Sequence, residues 1–220
     1  LFSYAQNTKI EGLSLGGNAK IIHRRAGEFA TAWGFGIDAS ASYRPGNQWN
    51  FGVMARDITS TFNAWKYSFT DAEKDVLSQT DNDIPKNSLE ITVPKFLIGV
   101  GKGFDLSEKV GLYTELDLDL STDGKRNTIL RSDVFSIDPH FGLELDYDKL
   151  IFLRAGAGNF QEVLELEGST TWTWQPNFGV GISLNKFALD YALTDVGDQS
   201  DVLFSHVFSI RFNINQDNSN

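Results

Sequence analysis

The sequence predicts an all-β fold, an antiparallel transmembrane β-barrel, and three observations carry that reading. Apolar and polar residues alternate with period two over most of the chain, the alternating segments run to ten residues or more, and the connections between them take turns, short then long. Strict alternation marks a strand with one apolar face. Strands in soluble proteins are mostly five or six residues long, whereas a tilted membrane strand needs roughly 9–11. No run approaches the ~18 apolar residues of a membrane helix, so any crossing falls to strands.

About eleven strands are expected, at 1–7, 11–24, 33–45, 48–59, 93–105, 109–121, 134–147, 150–162, 171–184, 187–196 and 203–215. In the third, Phe35, Ile37, Ala39, Ala41 and Tyr43 oppose Gly34, Gly36, Asp38, Ser40, Ser42 and Arg44. In the sixth, Val110, Leu112, Leu116, Leu118 and Leu120 oppose Gly111, Tyr113, Glu115, Asp117 and Asp119. In the seventh, Phe135, Ile137, Phe141, Leu143, Leu145 and Tyr147 oppose Ser136, Asp138, His140, Gly142, Glu144 and Asp146. The ninth sets Trp172, Trp174, Phe178, Val180 and Ile182 against Thr173, Gln175, Asn177, Gly179 and Gly181. The last sets Phe204, His206, Phe208, Ile210, Phe212 and Ile214 against Ser205, Val207, Ser209, Arg211 and Asn213.

Short connections are read at Asn7–Glu11, Pro45–Gln48, Asp105–Lys109, Tyr147–Lys149 and Asn185–Lys186, and long ones at 25–32, 60–92, 122–133, 163–170 and 197–202. Tight periplasmic turns facing longer external loops are the layout of an outer-membrane barrel. On this reading the C-terminus is periplasmic and residue 1 starts at the external end. Bacterial barrels of one chain have an even strand number, so an odd number of further strands, three on a count of fourteen, is expected before Leu1. The chain begins without Met or a signal peptide, so a processed or partial chain is expected.

A net charge of −10 argues against nucleic acid, whose phosphates call for Lys and Arg. The absence of Cys excludes disulfides and thiolate metal sites. Trp33, Tyr43, Trp49, Trp65, Tyr67, Tyr147, Trp172 and Trp174 fall toward strand ends, where aromatic girdles sit. The polar faces are too small and too charged for a dry core, so they are expected to line a lumen, with the apolar faces on lipid.

The lumen charges are Asp38, Glu115, Asp117, Asp119, Asp138, Glu144 and Asp146 with Lys20, Arg24, Arg44, Arg56, Arg154 and Arg211. Unpaired buried charge is costly, so a lattice of cross-strand ion pairs is expected ahead of a selective conduit. Asp138 and His140 share a face, but no second His stands at ligand spacing, and no metal or cofactor is expected. Ser205 and His206 are adjacent and point to opposite faces, so they form no nucleophile–base pair. GVGKGF at 99–104 lacks phosphate-loop spacing. The 60–92 loop carries Phe62, Trp65, Tyr67 and Phe69 as an aromatic stem, and TDAEKDVL offers a helical turn or two capped by Thr70 or Asp71. It serves either as a plug or as a docking surface for a protein partner.

Three stretches resemble the PorV/PorQ family of outer-membrane proteins, distant relatives of FadL-type barrels. They are KIEGLSLGGNAKII at 9–22, WGFGIDASASYRPGNQWNFGVMARDIT at 33–59, and ITVPKFLIGVGKGF at 91–104. The resemblance covers about half of the chain in ordered segments, the rest by strand layout alone. It implies a single barrel domain of fourteen strands and a place in the type IX secretion system, as a non-enzymatic partner of a large translocon barrel or a receiver of secreted cargo. The alternative is a FadL-like channel for hydrophobic small molecules, which requires a greasy lumen patch such as Leu97 and Phe152.

Overall fold

The computed structural model describes residues 1–79, 83–124, 126–164, 168–194 and 205–212. The expected strands form, their described ends shifted by no more than about three residues. They are β1 (Phe2–Asn7), β2 (Leu13–Ala26), β3 (Ala30–Gly46), β4 (Trp49–Arg56), β7 (Lys95–Asp105), β8 (Val110–Ser121), β10 (Ser136–Tyr147), β11 (Ile151–Leu164), β12 (Thr170–Leu184), β13 (Phe187–Thr194) and β14 (Ser205–Phe212). Three shorter segments, β5 (Thr61–Tyr67), β6 (Ser88–Thr92) and β9 (Leu130–Arg131), lie off the main path.

Together they make a 14-stranded antiparallel sheet in the order β1-β2-β3-β4-β7-β8-β10-β11-β12-β13-β14. β5 pairs with β3 and β6, and β9 with β10. These fourteen segments are not the fourteen strands of the expected barrel, since the main path holds eleven and is open from β1 to β14 among the described residues. The chain divides into two compact units, Leu1–Ala41 with Val53–Phe96, and Ser42–Gly52 with Leu97–Asn220. Among the described residues no helix is long and apolar enough to cross a membrane.

Tight turns use residues that tolerate left-handed backbone. Asp148 and Lys149 have φ of 54° and 53°, and Leu150 N donates to Tyr147 O at 2.9 Å, a two-residue type I′ hairpin. Asn47 and Gln48 do the same between β3 and β4, with φ of 51° and 62°.

The side-chain partition is inverted relative to a soluble domain. The buried hydrophobics are Ala30, Ala32 and Ala55, while Asp38, Thr61, Asn63 and Ser136 are buried among the polar residues. Along β3 the exposed residues Trp33, Phe35 and Ile37 alternate with buried Gly34, Gly36 and Asp38. Phe141, Leu143, Leu153, Phe178 and Val180 are likewise exposed. A folded chain normally buries these types first, and an apolar face of this extent marks an interaction surface. β8 departs from the pattern, being half-buried on both faces for most of its length.

Two of the expected long loops are not loops. The 60–92 excursion continues as strands, since β5 pairs with β3 from Phe62↔Phe35 to Tyr67↔Ala30, and β6 pairs with β5. Among the described residues between Tyr67 and Ser88 the chain leaves the sheet and carries the helix α1 (Asp71–Gln79). The alternation hides this because its phase slips at Asp57–Ser60. There Asp57 and Ser60 have φ of 52° and 56°, and Ser60 N donates to Asp57 O at 2.7 Å. Odd residues such as Phe51 and Val53 are exposed before this bulge and even ones such as Phe62 after it. The expected long connection at 25–32 shrinks to residues 27–29, because backbone pairing outlasts the hydrophobic pattern. Short and long connections therefore do not strictly alternate. The 197–202 connection, Phe204, Asn213 and Ile214 lie outside the described residues.

Candidate functional site

The polar face of the sheet gathers the charged residues, and each unit builds its own cluster. In the first unit Lys20 of β2 bridges Asp38 of β3, at 2.6 Å, and Asp57 of the bulge. Asp57 N and Asn18 Nδ2 also donate to Asp38, at 2.9 and 3.2 Å, and Thr61 Oγ1 donates to Asp57. The bulge thus supplies both a carboxylate and a backbone donor. In the second unit Arg154 of β11 lies directly opposite Glu144 of β10 and donates to it at 2.5 Å. It also reaches Asp190 of β13 at 2.6 Å, with Arg211 of β14 3.8 Å from the same carboxylate. Each cluster ties strands together through a central cation between two acids, with Arg211 a more distant second cation in the Arg154 cluster.

Between β8 and β10 the register sets Asp138 opposite Asp119, His140 opposite Asp117, and Gly142 opposite Glu115. His140 Nε2 lies 3.6 Å from Asp138 and 3.8 Å from Asp119. No group among the described residues has the makings of a metal site. Asp146 closes its turn by accepting from Lys149 Nζ at 3.0 Å.

Polar side chains lie flat against this face because glycines on the neighbouring strand leave room. A Cβ on Gly34 would collide with Asn63 Oδ1 and come within 2.6 Å of Phe62 O. One on Gly101 would strike the Tyr113 hydroxyl, and one on Gly158 the His140 ring. At Gly142 and Gly156 no side chain lies so close. Gly142 and Gly156 floor a depression of ≈ 490 Å³ in the second unit, flanked by Glu115, Glu144 and Arg154. Phe152 lies beneath the Arg154 guanidinium, 5.2 Å from its ring centre, so the greasy patch expected there is covered by charge.

Most of the expected charges fall into three groups. Asp38 and Lys20 pair in one cluster, Glu144, Arg154 and Arg211 in another, and Glu115, Asp117, Asp119, Asp138 and His140 line adjacent strands. Arg44 and Arg56 are exposed and join no ion pair among the described residues. Arg24 pairs with Glu90 at 3.0 Å. Three partners were missed by sequence reasoning: Asp57 sits in the bulge, Glu90 in a segment read as loop, and Asp190 in a strand that was expected without its faces being assigned.

The aromatic stem divides between the two faces of β5. Phe62 faces the apolar side, beside Phe35 and Ile91. Trp65, Tyr67 and Phe69 instead form a ladder on the other face, with centroid spacings of 6.3 and 6.1 Å, extended by Phe29 at 5.3 Å from Phe69. Trp65 Nε1 donates to Glu90 at 2.8 Å, which fastens β5 to β6. Above them Thr70 caps α1: Thr70 N donates to Glu73 Oε2 at 2.7 Å and Glu73 N to Thr70 Oγ1 at 3.4 Å, a reciprocal capping box. The hydrogen bonds from Thr70 hold the Glu73 carboxyl below its usual range. In the 122–135 segment Asp123 holds the Arg126 guanidinium above its usual value through their ion pair.

The chain matches no family model, no curated protein and no solved structure.

Proposed function

We propose that this chain is a non-enzymatic β-barrel protein of the outer membrane that acts in protein secretion by binding a translocon or its cargo. One observation carries the membrane reading: Phe, Leu, Val and Trp are exposed along the strands while the buried polar residues are Asp, Asn, Thr and Ser. In water that arrangement would forfeit ~25 cal/mol for each Å² of apolar surface left uncovered. In hydrocarbon the same surface is at no disadvantage, and the polar face turns to an enclosed lumen. The short-turn side would face the periplasm, and β14 runs toward it, Phe212 pairing with Phe187 beside the 185–186 turn.

The secretion role rests on the family resemblance and on the hairpin of β5 and β6. That hairpin holds α1, whose residues are none of them buried, on a stem with one apolar side. Exposed loops on a rigid scaffold are where partners bind. A channel for hydrophobic molecules draws no support from a face where Arg154 covers Phe152.

The test is fractionation followed by native co-purification. The protein should sediment with outer membranes, resist carbonate extraction, and bring down a large barrel or secreted cargo. Deleting residues 68–87 should release that partner without releasing the protein from the membrane. Recovery of the protein alone, with secretion unchanged in a deletion strain, refutes the secretion role. Recovery in the soluble fraction refutes the membrane reading as well.

A further inference from the structure

We infer that the apolar face of the second unit carries a specific site for an anionic phospholipid, centred on Lys102. The proposal rests on the membrane reading and adds a ligand to it.

Lys102 is anomalous by position. On β7 the residues Ile98, Val100 and Phe104 share its face, while Gly99, Gly101 and Gly103 take the polar one. In the strands of the second unit, up to the β11 bulge at Gly158, it is the one Lys, Arg, Asp or Glu at an apolar-face position among the described residues. Its ammonium stands 4.5 Å from the centre of the Trp49 ring and 5.1 Å from that of Phe104. No carboxylate pairs with it among the described residues. An ammonium on a face made for hydrocarbon is expensive unless its end reaches the headgroup level.

Lys102 stands where that reach is short. Trp49 directly follows the 47–48 turn, and β7 ends three residues on, at Asp105. Tyr147, Phe187 and Phe212 occupy the same turn-proximal end of their strands. That is the position of an interfacial aromatic girdle.

From Lys102 a groove of ≈ 470 Å³ runs along the face over Val100, Leu116, Phe141 and Leu143, with Trp49 and Phe104 at the charged end. Glu115, which also borders it, alternates to the polar face. An apolar trough closed at one end by a single cation between two aromatic rings matches a molecule with an acyl chain and an anionic phosphate. The lysine donates to phosphate oxygen, the rings pack at glycerol depth, and the chain fills the trough. A zwitterionic choline lipid would set its own cation against the ammonium, so the site prefers a lipid of net negative headgroup.

The experiment uses the purified full chain in bilayer nanodiscs, with phosphatidylglycerol titrated into phosphatidylcholine and retained lipid counted by native mass spectrometry after release into detergent. The wild type should keep phosphatidylglycerol selectively. Lys102→Met should weaken that retention about tenfold, the loss of one charge-assisted contact, while Lys102→Arg should preserve it. Lys66→Met, on the first unit, should change nothing. A wild type with no preference between the lipids overturns the site while leaving the membrane reading intact. So does a Lys102→Met variant that inserts normally and retains as much phosphatidylglycerol. A chain that stays dissolved without detergent and takes up neither lipid overturns both.

Discussion

The cluster around Lys20 and the cluster around Arg154 have the same arithmetic, one cation between two carboxylates, yet they sit in different surroundings. The side chains of Lys20, Asp38 and Asp57 are 18%, 6% and 13% exposed. Those of Arg154, Glu144 and Asp190 are 37%, 30% and 22% exposed. The first is closed over by the bulge, which adds a backbone donor and the Thr61 hydroxyl. The second borders an open depression floored by glycine. The comparison teaches that the polar face is not one uniform lining. One part is a sealed joint that locks strands together, and another is a wet wall whose charges stay accessible.

The largest expected effect separates the two directly. Lys20→Met strands two carboxylates with little water to screen them and should cost about 3–5 kcal/mol, the range for breaking a buried pair. Arg154→Met leaves its acids partly hydrated and should cost about 1–2 kcal/mol, between an exposed pair and a charged hydrogen bond. Urea titration of the refolded protein, read by tryptophan fluorescence, measures both. Adding Asp38→Asn and Asp57→Asn to Lys20→Met should recover much of the loss, because neutral amides need no counter-charge. Equal losses at Lys20 and Arg154 would erase the distinction between joint and wall.

Glycine supplies the next contrast, with opposite signs expected. At Gly34 a methyl group would meet Asn63 and, less yieldingly, the Phe62 carbonyl oxygen at 2.6 Å. Overpacking of that kind should destabilise Gly34→Ala by about 1–3 kcal/mol. At Gly142 the nearest atom is Glu115 Cβ at 3.7 Å, an ordinary contact. Gly142→Ala should therefore be neutral or stabilising by up to about 1 kcal/mol, since glycine is a poor strand residue. The same unfolding titration reads both, and a loss at Gly142 matching that at Gly34 would mean the depression is not open space.

Much of this was legible before any coordinates, and the failures have a common cause. Period two survives wherever a strand keeps one phase, so β10 and β12 could be read almost residue by residue, and the face of Glu144 with them. It fails where phase slips. The bulge at Asp57–Ser60 moves the apolar face from Val53 to Phe62, and Val93–Pro94 returns it from Ile91 to Phe96. Either slip turns a strand into an apparent loop, and Glu90 and the face of Phe62 went with it. Asp57 was invisible for the same reason, since its role depends on a left-handed backbone that no periodicity encodes. The capping box, by contrast, was written plainly as Thr70-Asp71-Ala72-Glu73, and the missing step was to read Thr70 and Glu73 as a pair.

That box carries the smallest expected effect, and it tests whether α1 is part of the joint or merely tethered to it. α1 has acids in its first turn, no base in its last, and no buried residue, so the cap is a substantial part of what holds it. Helices this short are marginal alone. Thr70→Ala should weaken it by about 0.5–2 kcal/mol, without loss of the sheet. The pH dependence has a definite sign. The carboxyl of Glu73 is held below its ordinary value of 4.5, so its ionised form is the one the cap favours. Its contribution is complete above that value and disappears as pH falls through the depressed one. Amide exchange at residues 71–79 should therefore accelerate on acidification from pH 5 toward pH 3, conditions the main strands withstand longer. Glu73→Gln should flatten this profile, because a neutral amide still accepts from Thr70 N but has no proton to gain. A profile that stays unchanged in Glu73→Gln would assign the acid sensitivity to Trp65–Glu90–Arg24 at the base of the hairpin, and would tie α1 to the stem that holds it.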